Sequence, residues 1–346
     1  MLKQLTQLFG VSGNEAAVRE FILSRISPLA DQVTVDSMGN VIAFKKGTAG
    51  GGQAYMALAH MDEVGLIISG VTEDGFLKLK AVGGIDERIL LTQRVRIGAR
   101  KVPGVIGIKA VHLQSKEARK KIISIKDMYI DIGASSKEDA LKSVSLGDYA
   151  AFDSDYTEFG DGLIKAKALD DRAGCGVLLS AMDKAYAADI YFCFSVQEET
   201  GLRGATVLAH RLKPACCIVF EGTNAADIAF VPEHETVTHL GGGPALSIMD
   251  RASYSSKPLN AFIESVAKKS GIPYQYKRTS LGGNDAGAVQ TAAGGCETAV
   301  LSLPVRYIHS PVSVAQKTDY EAAKKLAAAV LGDIHTYRAQ KKERIK

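Results

Sequence analysis

Apolar positions along this chain change period three times. In "NEAAVREFILSRI" Val18, Phe21, Ile22 and Ile26 recur at helical spacing, with Asn14 in place to cap the helix and Pro28 to end it. "QVTVDSMGNVIAFKKG" and "QAYMALAH" then read as strands separated by the turn-rich "GTAGGG". From residue 66 the runs shorten. "GLIISGV", "GFLKLKAVGG", "QRVRIGA", "VPGVIGIKAVHL", "DMYIDIGA" and "GDYAAFDS" are strand-like, glycine-punctuated and rich in β-branched residues, and only "SKEDALKSV" reads as helical.

After about residue 158 long elements return. "LDDRAGCGVLLSAMDKAY", "GLRGATVLAHRL", "KPLNAFIESVAKKSG" and "DYEAAKKLAAAVLGDIHTYRAQ" read as helices; Pro258 and Gly271 bracket the third. They alternate with the strands "ADIYFCFSV", "PACCIVFEG" and "ETAVLSLPV". Alternation of this kind predicts a layered α/β sheet. The expected architecture is a three-layer α/β/α domain, residues 1–65 with 158–346, interrupted by an all-β, barrel-like module at 66–157.

Composition narrows the function classes. The 346 residues are 46% hydrophobic and 23% charged, with a net charge of +4 too small to imply nucleic acid. The basic "RAQKKERIK" reads as a solvated helix end. No stretch approaches the ~20 apolar residues of a membrane span, and the N-terminus lacks the apolar core of a secretion signal. Cys175, Cys193, Cys216, Cys217 and Cys296 are odd in number and match no zinc spacing. They read as small buried hydrophobes in a reducing compartment, so a cytoplasmic location is expected.

The candidate chemistry collects at strand ends, where open α/β sheets bind ligands. "YMALA" runs into His60-Met61-Asp62-Glu63, "YFCFSV" into Gln197-Glu198-Glu199, "CCIVF" into Glu221 and "LSLPVRYI" into His309, while Asp170 and Asp171 stand at a helix start. Histidines with carboxylates, and no cysteine, suit zinc, cobalt or manganese; five ligands exceed one catalytic zinc and suit two metals sharing a carboxylate. Taken singly, each residue has a plainer reading. Adjacent glutamates are commonly a solvated turn, and an aspartate at a helix start is commonly an N-cap. Lys167 reads as a solvated strand residue, Arg251 as the surface partner of Asp250, and "GGG" at 50–52 and 241–243 as turns, the second able to approach substrate. His112, His210, His234, His239 and His335 read as surface or core histidines, His112 on the β module with a contact between copies as its one further use.

"AHMDEVG", "KALDDRAGC", "QEETGLRGA", "LGGGPA" and "PVRYIHSP" together resemble, in order and spacing, the cytoplasmic di-metal aminopeptidases called glutamyl, deblocking or tetrahedral aminopeptidases, some of which were named endoglucanases. The resemblance covers essentially the whole chain. It implies hydrolysis of N-terminal residues from short peptides by a hydroxide bridging two divalent metals, zinc or cobalt before manganese. It implies His60 and His309 as ligands of the two metals, Asp170 as their bridge, and Glu199 and Glu221 completing the sites. Glu198 is then the general base, Asp62 orients the His60 ring, and the Asp170–Asp171 peptide is cis. It further implies a dimer-based homo-oligomer, extending to a twelve-subunit shell, with contacts through the β module. The sequence departs from the family in two places: Glu221 stands where aspartate is usual, and "GGNDAG" lacks the threonine usual before Asp285, so that loop receives no role. A metal-free glycoside hydrolase using Glu198 is the rival reading, disfavoured by adjacent glutamates and the absence of tryptophan. A homologue that has lost its metals is a third.

Overall fold

The computed structural model describes residues 1–49, 52–278 and 282–344. Among these, eleven strands form one sheet, running in order Gln32–Val35, Val41–Lys45, Ile190–Ser195, Tyr55–His60, Cys217–Asn224, Thr298–Arg306, Ser313–Gln316, Leu163–Ala166 and Thr157–Phe159; Ala245–Leu246 and Gln275–Tyr276 attach beside Thr298–Arg306. The four central strands are parallel. All six residues of Tyr55–His60 are buried, as expected of a strand covered on both faces.

Strand alternation sorts the core into two layers. Tyr55, Ala57 and Ala59 pack with Ile22, Leu178, Ile263 and Leu326 of the helices Ala16–Ile26, Leu169–Ala181, Lys257–Lys269 and Lys317–Arg344. Met56 and Leu58 point the other way, onto Ala205 and Leu208 of Arg203–Leu212 and Val289 of Ala286–Thr291. This is the α/β/α sandwich the alternation predicts. Gly65–Val71, Leu77–Val82, Tyr129–Asp131, Val102–Gly107, Arg94–Ile97 and Tyr149–Phe152 close a separate six-stranded barrel around Leu66, Ile68, Leu79 and Ile130.

Local readings were corrected in several places. Asn14 does not cap the first predicted helix. That helix starts at Ala16, and the Glu15 carboxylate accepts the N–H of Gly13 at 2.6 Å and that of Gln197 at 3.2 Å instead. The short helices Leu2–Gln7 and Ala286–Thr291 were not expected; each is too short for periodicity to register. The strand holding Glu221 continues to Asn224. The 241–243 turn is tied to the final helix: the Gly241 and Gly243 amides donate to the buried Asp319 carboxylate at 2.7 and 2.9 Å. Residues 50 and 51 of the other glycine run, and 345–346 of the basic terminus, lie outside the described residues. None of the described helices is long and apolar enough to cross a membrane.

Candidate metal centre

The parallel ladder pairs Val219 with Leu58, and two residues on, Glu221 and His60 stand level on the same face. His60 Nε2 lies 3.1 Å from Glu221 Oε1 and 3.2 Å from Asp170 Oδ1. Across Asp170, His309 Nε2 lies 3.4 Å from Asp170 Oδ2 and 3.3 Å from Glu199 Oε1. Asp170 thus presents one oxygen to each histidine. A second triple, His60–Glu198–Glu199, also has ligand atoms close enough to share an ion. So does His60–Asp171–Glu221, but Asp171 is occupied: it accepts the His60 N–H at 3.2 Å and the Gly174 N–H at 2.9 Å. The helix-start reading of Asp171 therefore holds, with an added hold on the His60 backbone.

Sequence elements far apart converge because each meets the sheet edge with an unusual backbone. Ala168, Gln197, Leu202, Tyr307 and His309 all have positive φ, between 53° and 58°. Such conformations are sparse for residues other than glycine and collect at sites that surroundings over-determine. The Asp170–Asp171 peptide is cis. Gly222 follows Glu221 where a Cβ would come 2.8 Å from Asp170 Cβ, so only glycine lets the two carboxylates approach.

Asp62 does more than face His60, whose Nδ1 is 3.4 Å from Asp62 Oδ1. Its two oxygens accept the backbone N–H groups of Glu198 and Glu199 at 3.0 and 3.1 Å. One buried carboxylate thereby fixes both the imidazole and the glutamate doublet. The His309 ring is held from the barrel: its Nδ1 donates to the Gly84 carbonyl at 2.8 Å, leaving the Nε2 lone pair toward Asp170 and Glu199.

Electrostatically the cluster lacks positive charge. Burial pushes the Glu198 carboxyl well up, and the nearby Asp285, Glu199 and Asp170 charges push it further against the opposing pull of His60. Burial raises Glu221 well above the carboxylate range and Glu199 to about 7. Burial alone would also raise Asp170, but hydrogen bonds from His309 and His60 hold it well below the usual range. Burial opposes a charge on the histidines, yet the Glu221 charge with Asp170 and Asp62 raises His60 well above its usual value, and Asp170 with Glu199 raises His309 to about 9. Glu221 Oε2 is buried without a hydrogen-bond partner. The donor atoms stand 3.1–3.4 Å apart. Tetrahedral ligands at ~2.0–2.1 Å from an ion are separated by about 3.3 Å. Charge, the orphaned Glu221 oxygen and spacing all fit divalent cations.

The structure brings His60, Asp62, Asp170, Glu198, Glu199, Glu221 and His309 together; the other five histidines stay outside every candidate metal group among the described residues. Two readings fail. Lys167 is 1% exposed, not solvated. Its Nζ donates to the Leu8 carbonyl at 2.7 Å and pairs with both Glu63 oxygens at 2.8 Å. Asp285, which received no role, is buried against the same cluster. It accepts the Ser195 hydroxyl at 2.5 Å, and burial raises it to about 6. An aspartate inside the glycine-rich run 282–287 carries no signal of that depth.

A sandwich of this topology with histidines and carboxylates at its parallel strand ends defines a metallohydrolase type of site. The chain belongs to the M42 glutamyl aminopeptidase family, whose pattern matches residues 39–326. It is 34% identical over 347 residues to a lysyl aminopeptidase of Pyrococcus furiosus, with 96% of each chain covered. An aminopeptidase structure from Desulfurococcus kamchatkensis superposes with a TM-score of 0.92 at 37% identity, covering 96% of this chain and 93% of that one. The TET1 peptidase of Pyrococcus horikoshii, described as able to assemble into a tetrahedron or a large octahedral shell, gives 0.85 at 36% identity, with 95% and 98% covered. A Thermotoga maritima structure named an endoglucanase gives 0.82 at 38%, with 98% and 99% covered. The chain is thus an aminopeptidase by family, a hydrolase of the fold these proteins share.

Proposed function

We propose that this aminopeptidase removes N-terminal residues from short peptides with two divalent metal ions, zinc or cobalt before manganese. His60, Asp170 and Glu221 would hold one ion; Asp170, Glu199 and His309 would hold the other. The observation that carries this reading is the placement of one Asp170 oxygen against each imidazole. Such ions supply Lewis-acid polarisation of the scissile carbonyl and of an attacking water. The chain's own groups do the rest. Glu198 lines the cleft, and its raised proton affinity suits it to take a proton from water and return it to the leaving amine. Asp62 fixes Glu198 through its amide and His60 through its ring. Glu221 keeps the charge and donor atoms of the aspartate it replaces, so its longer arm is compatible with ligation.

The likeness to a shell-forming peptidase supports a homo-oligomer, dimer-based and extending to a dodecamer, with the barrel module in its contacts. A cytoplasmic location fits these features. The test is hydrolysis of aminoacyl p-nitroanilides: EDTA should abolish it, and added Zn²⁺ or Co²⁺ should restore it. Cleavage of carboxymethylcellulose unaffected by EDTA would establish the glycosidase reading instead, and a protein inert on both with metals supplied would be the inactive homologue.

A further inference from the structure

The turn that carries Glu198 aims its backbone donors at buried carboxylates. Gln197 has φ 56°, a left-handed conformation that turns successive N–H groups toward one side and makes an anion-binding hollow. The N–H groups of Gln197, Glu198 and Glu199 all end on carboxylate oxygens. Asp62 accepts the last two. Glu15 accepts the first at 3.2 Å, from the N-terminal loop 182 residues away in sequence.

Glu15 stands just before the helix Ala16–Ile26, where a side-chain oxygen ordinarily caps the free amides of the first turn. Its side chain makes no such bond, and the residue is 4% exposed. Burial pushes its carboxyl up, and the neighbouring Asp62 charge pushes the same way, against the pull of the Gly13 and Gln197 amides. A carboxylate in that position costs free energy, which charge-assisted bonds from the two amides offset. The loop bearing it is fixed on three sides. The Gly10 N–H donates to Glu63 Oε1 at 3.0 Å and the Ser12 N–H to the Glu63 carbonyl at 3.1 Å. The Ser12 and Thr200 hydroxyls meet at 2.9 Å. At Gly13, with φ 91°, a Cβ would come 2.7 Å from the Tyr149 hydroxyl of the barrel. Loop 10–15 is thus wedged between the strand end bearing His60, the glutamate turn and the inserted module.

We propose that Glu15 is a positioning residue for Glu198: by holding the Gln197 amide, its carboxylate fixes the left-handed turn from which Glu198 enters the cleft of about 670 Å³ beside the metal centre. The proposal rests on the aminopeptidase reading, in which Glu198 exchanges a proton with water. It adds a residue outside both the candidate metal groups and the cleft lining. Left-handed backbone is sparse for a residue with a side chain and persists where surroundings over-determine it. Without the Glu15 oxygen, the turn relaxes and carries the Glu198 carboxylate with it. Misplacing a reacting group by ~1 Å can cost about a hundredfold in rate.

Two conservative variants separate position from charge. Glu15→Gln keeps the side-chain length and one acceptor oxygen but gives up the charge. Glu15→Asp keeps the charge but withdraws the oxygens by one methylene. In the metal-loaded protein, with leucyl p-nitroanilide, Glu15→Asp should lose about tenfold to a hundredfold in kcat with KM and metal content unchanged, while Glu15→Gln stays within about threefold of wild type. Amide hydrogen exchange gives a readout independent of turnover: exchange at Gln197 should stay slow in Glu15→Gln and speed up in Glu15→Asp. A purely structural role would lower the unfolding midpoint and leave kcat per folded molecule untouched. That result, metal loss in place of a kcat effect, or Glu15→Gln as impaired as Glu15→Asp would overturn the proposal while the aminopeptidase stands. Wild-type protein inert toward the substrate with metals supplied would remove the aminopeptidase reading, and this proposal with it.

Discussion

Glu198 and Glu199 are neighbours with different surroundings. Glu199 Oε1 lies 3.3 Å from His309 Nε2, and both glutamates line the cleft. General acid–base catalysis contributes ~10²–10⁴ in rate, so Glu198→Gln should lower kcat by that order while the protein still carries its metals by elemental analysis. Retained turnover would sink the assignment. The ligands make a pH prediction. In the ion-free site His309 titrates at about 9 and Glu199 at about 7, both raised, so both hold protons in mildly acid solution. A cation must displace those protons, and uptake should therefore strengthen as pH rises through this interval, with protons released. Competition with a chelator at about pH 6 and pH 8 reads this directly, and equal affinity would contradict it. Residue types and spacing made the seven clustered residues legible. They did not show that Asp62 grips two amides or that Asp250 takes the Ala252 and Ser253 amides, because a carboxylate's partners are chosen by whichever backbone folds against it.

At the scale of elements, one buried network joins three segments that the pattern treats as separate. Arg172 donates to the carbonyls of Met61 and Leu5 at 2.7 Å and pairs with Glu63 at 3.2 Å, and Lys167 meets the same carboxylate. The end of the N-terminal helix, the strand end bearing His60 and the helix bearing Asp170 are thereby locked together. Glu63→Gln leaves two buried cations without a counter-charge, and loss of one partner from such a group costs about 3–5 kcal/mol. Denaturant unfolding of the metal-free variant should show that loss; a change under about 1 kcal/mol would mean the network relaxes freely. The long helices were readable because 3.6-residue periodicity persists over many turns. Leu2–Gln7 and Ala286–Thr291 were not, since one and a half turns of small or mixed residues carry no period.

Across the whole molecule the barrel and the sandwich meet at the chemistry. The Gly84 carbonyl, just past the barrel strand Leu77–Val82, orients the His309 ring, so the inserted module contributes directly to the site. Light scattering should give a mass that is a multiple of the 36.8 kDa chain, and a monomer at working concentration would exclude the proposed assembly. The sequence by itself determined the layered architecture, the barrel between its halves and the set of histidines and carboxylates at the strand ends. Those follow from periodicity and from side-chain chemistry, which are local. Only the tertiary structure decided that Lys167 is a buried counter-ion, that the first long helix starts at Ala16 with no side-chain cap while Glu15 turns to Gly13 and Gln197, and that Arg251 and Lys277 line the cleft. Each depends on which distant backbone arrives within hydrogen-bonding reach, and no local pattern encodes that distance.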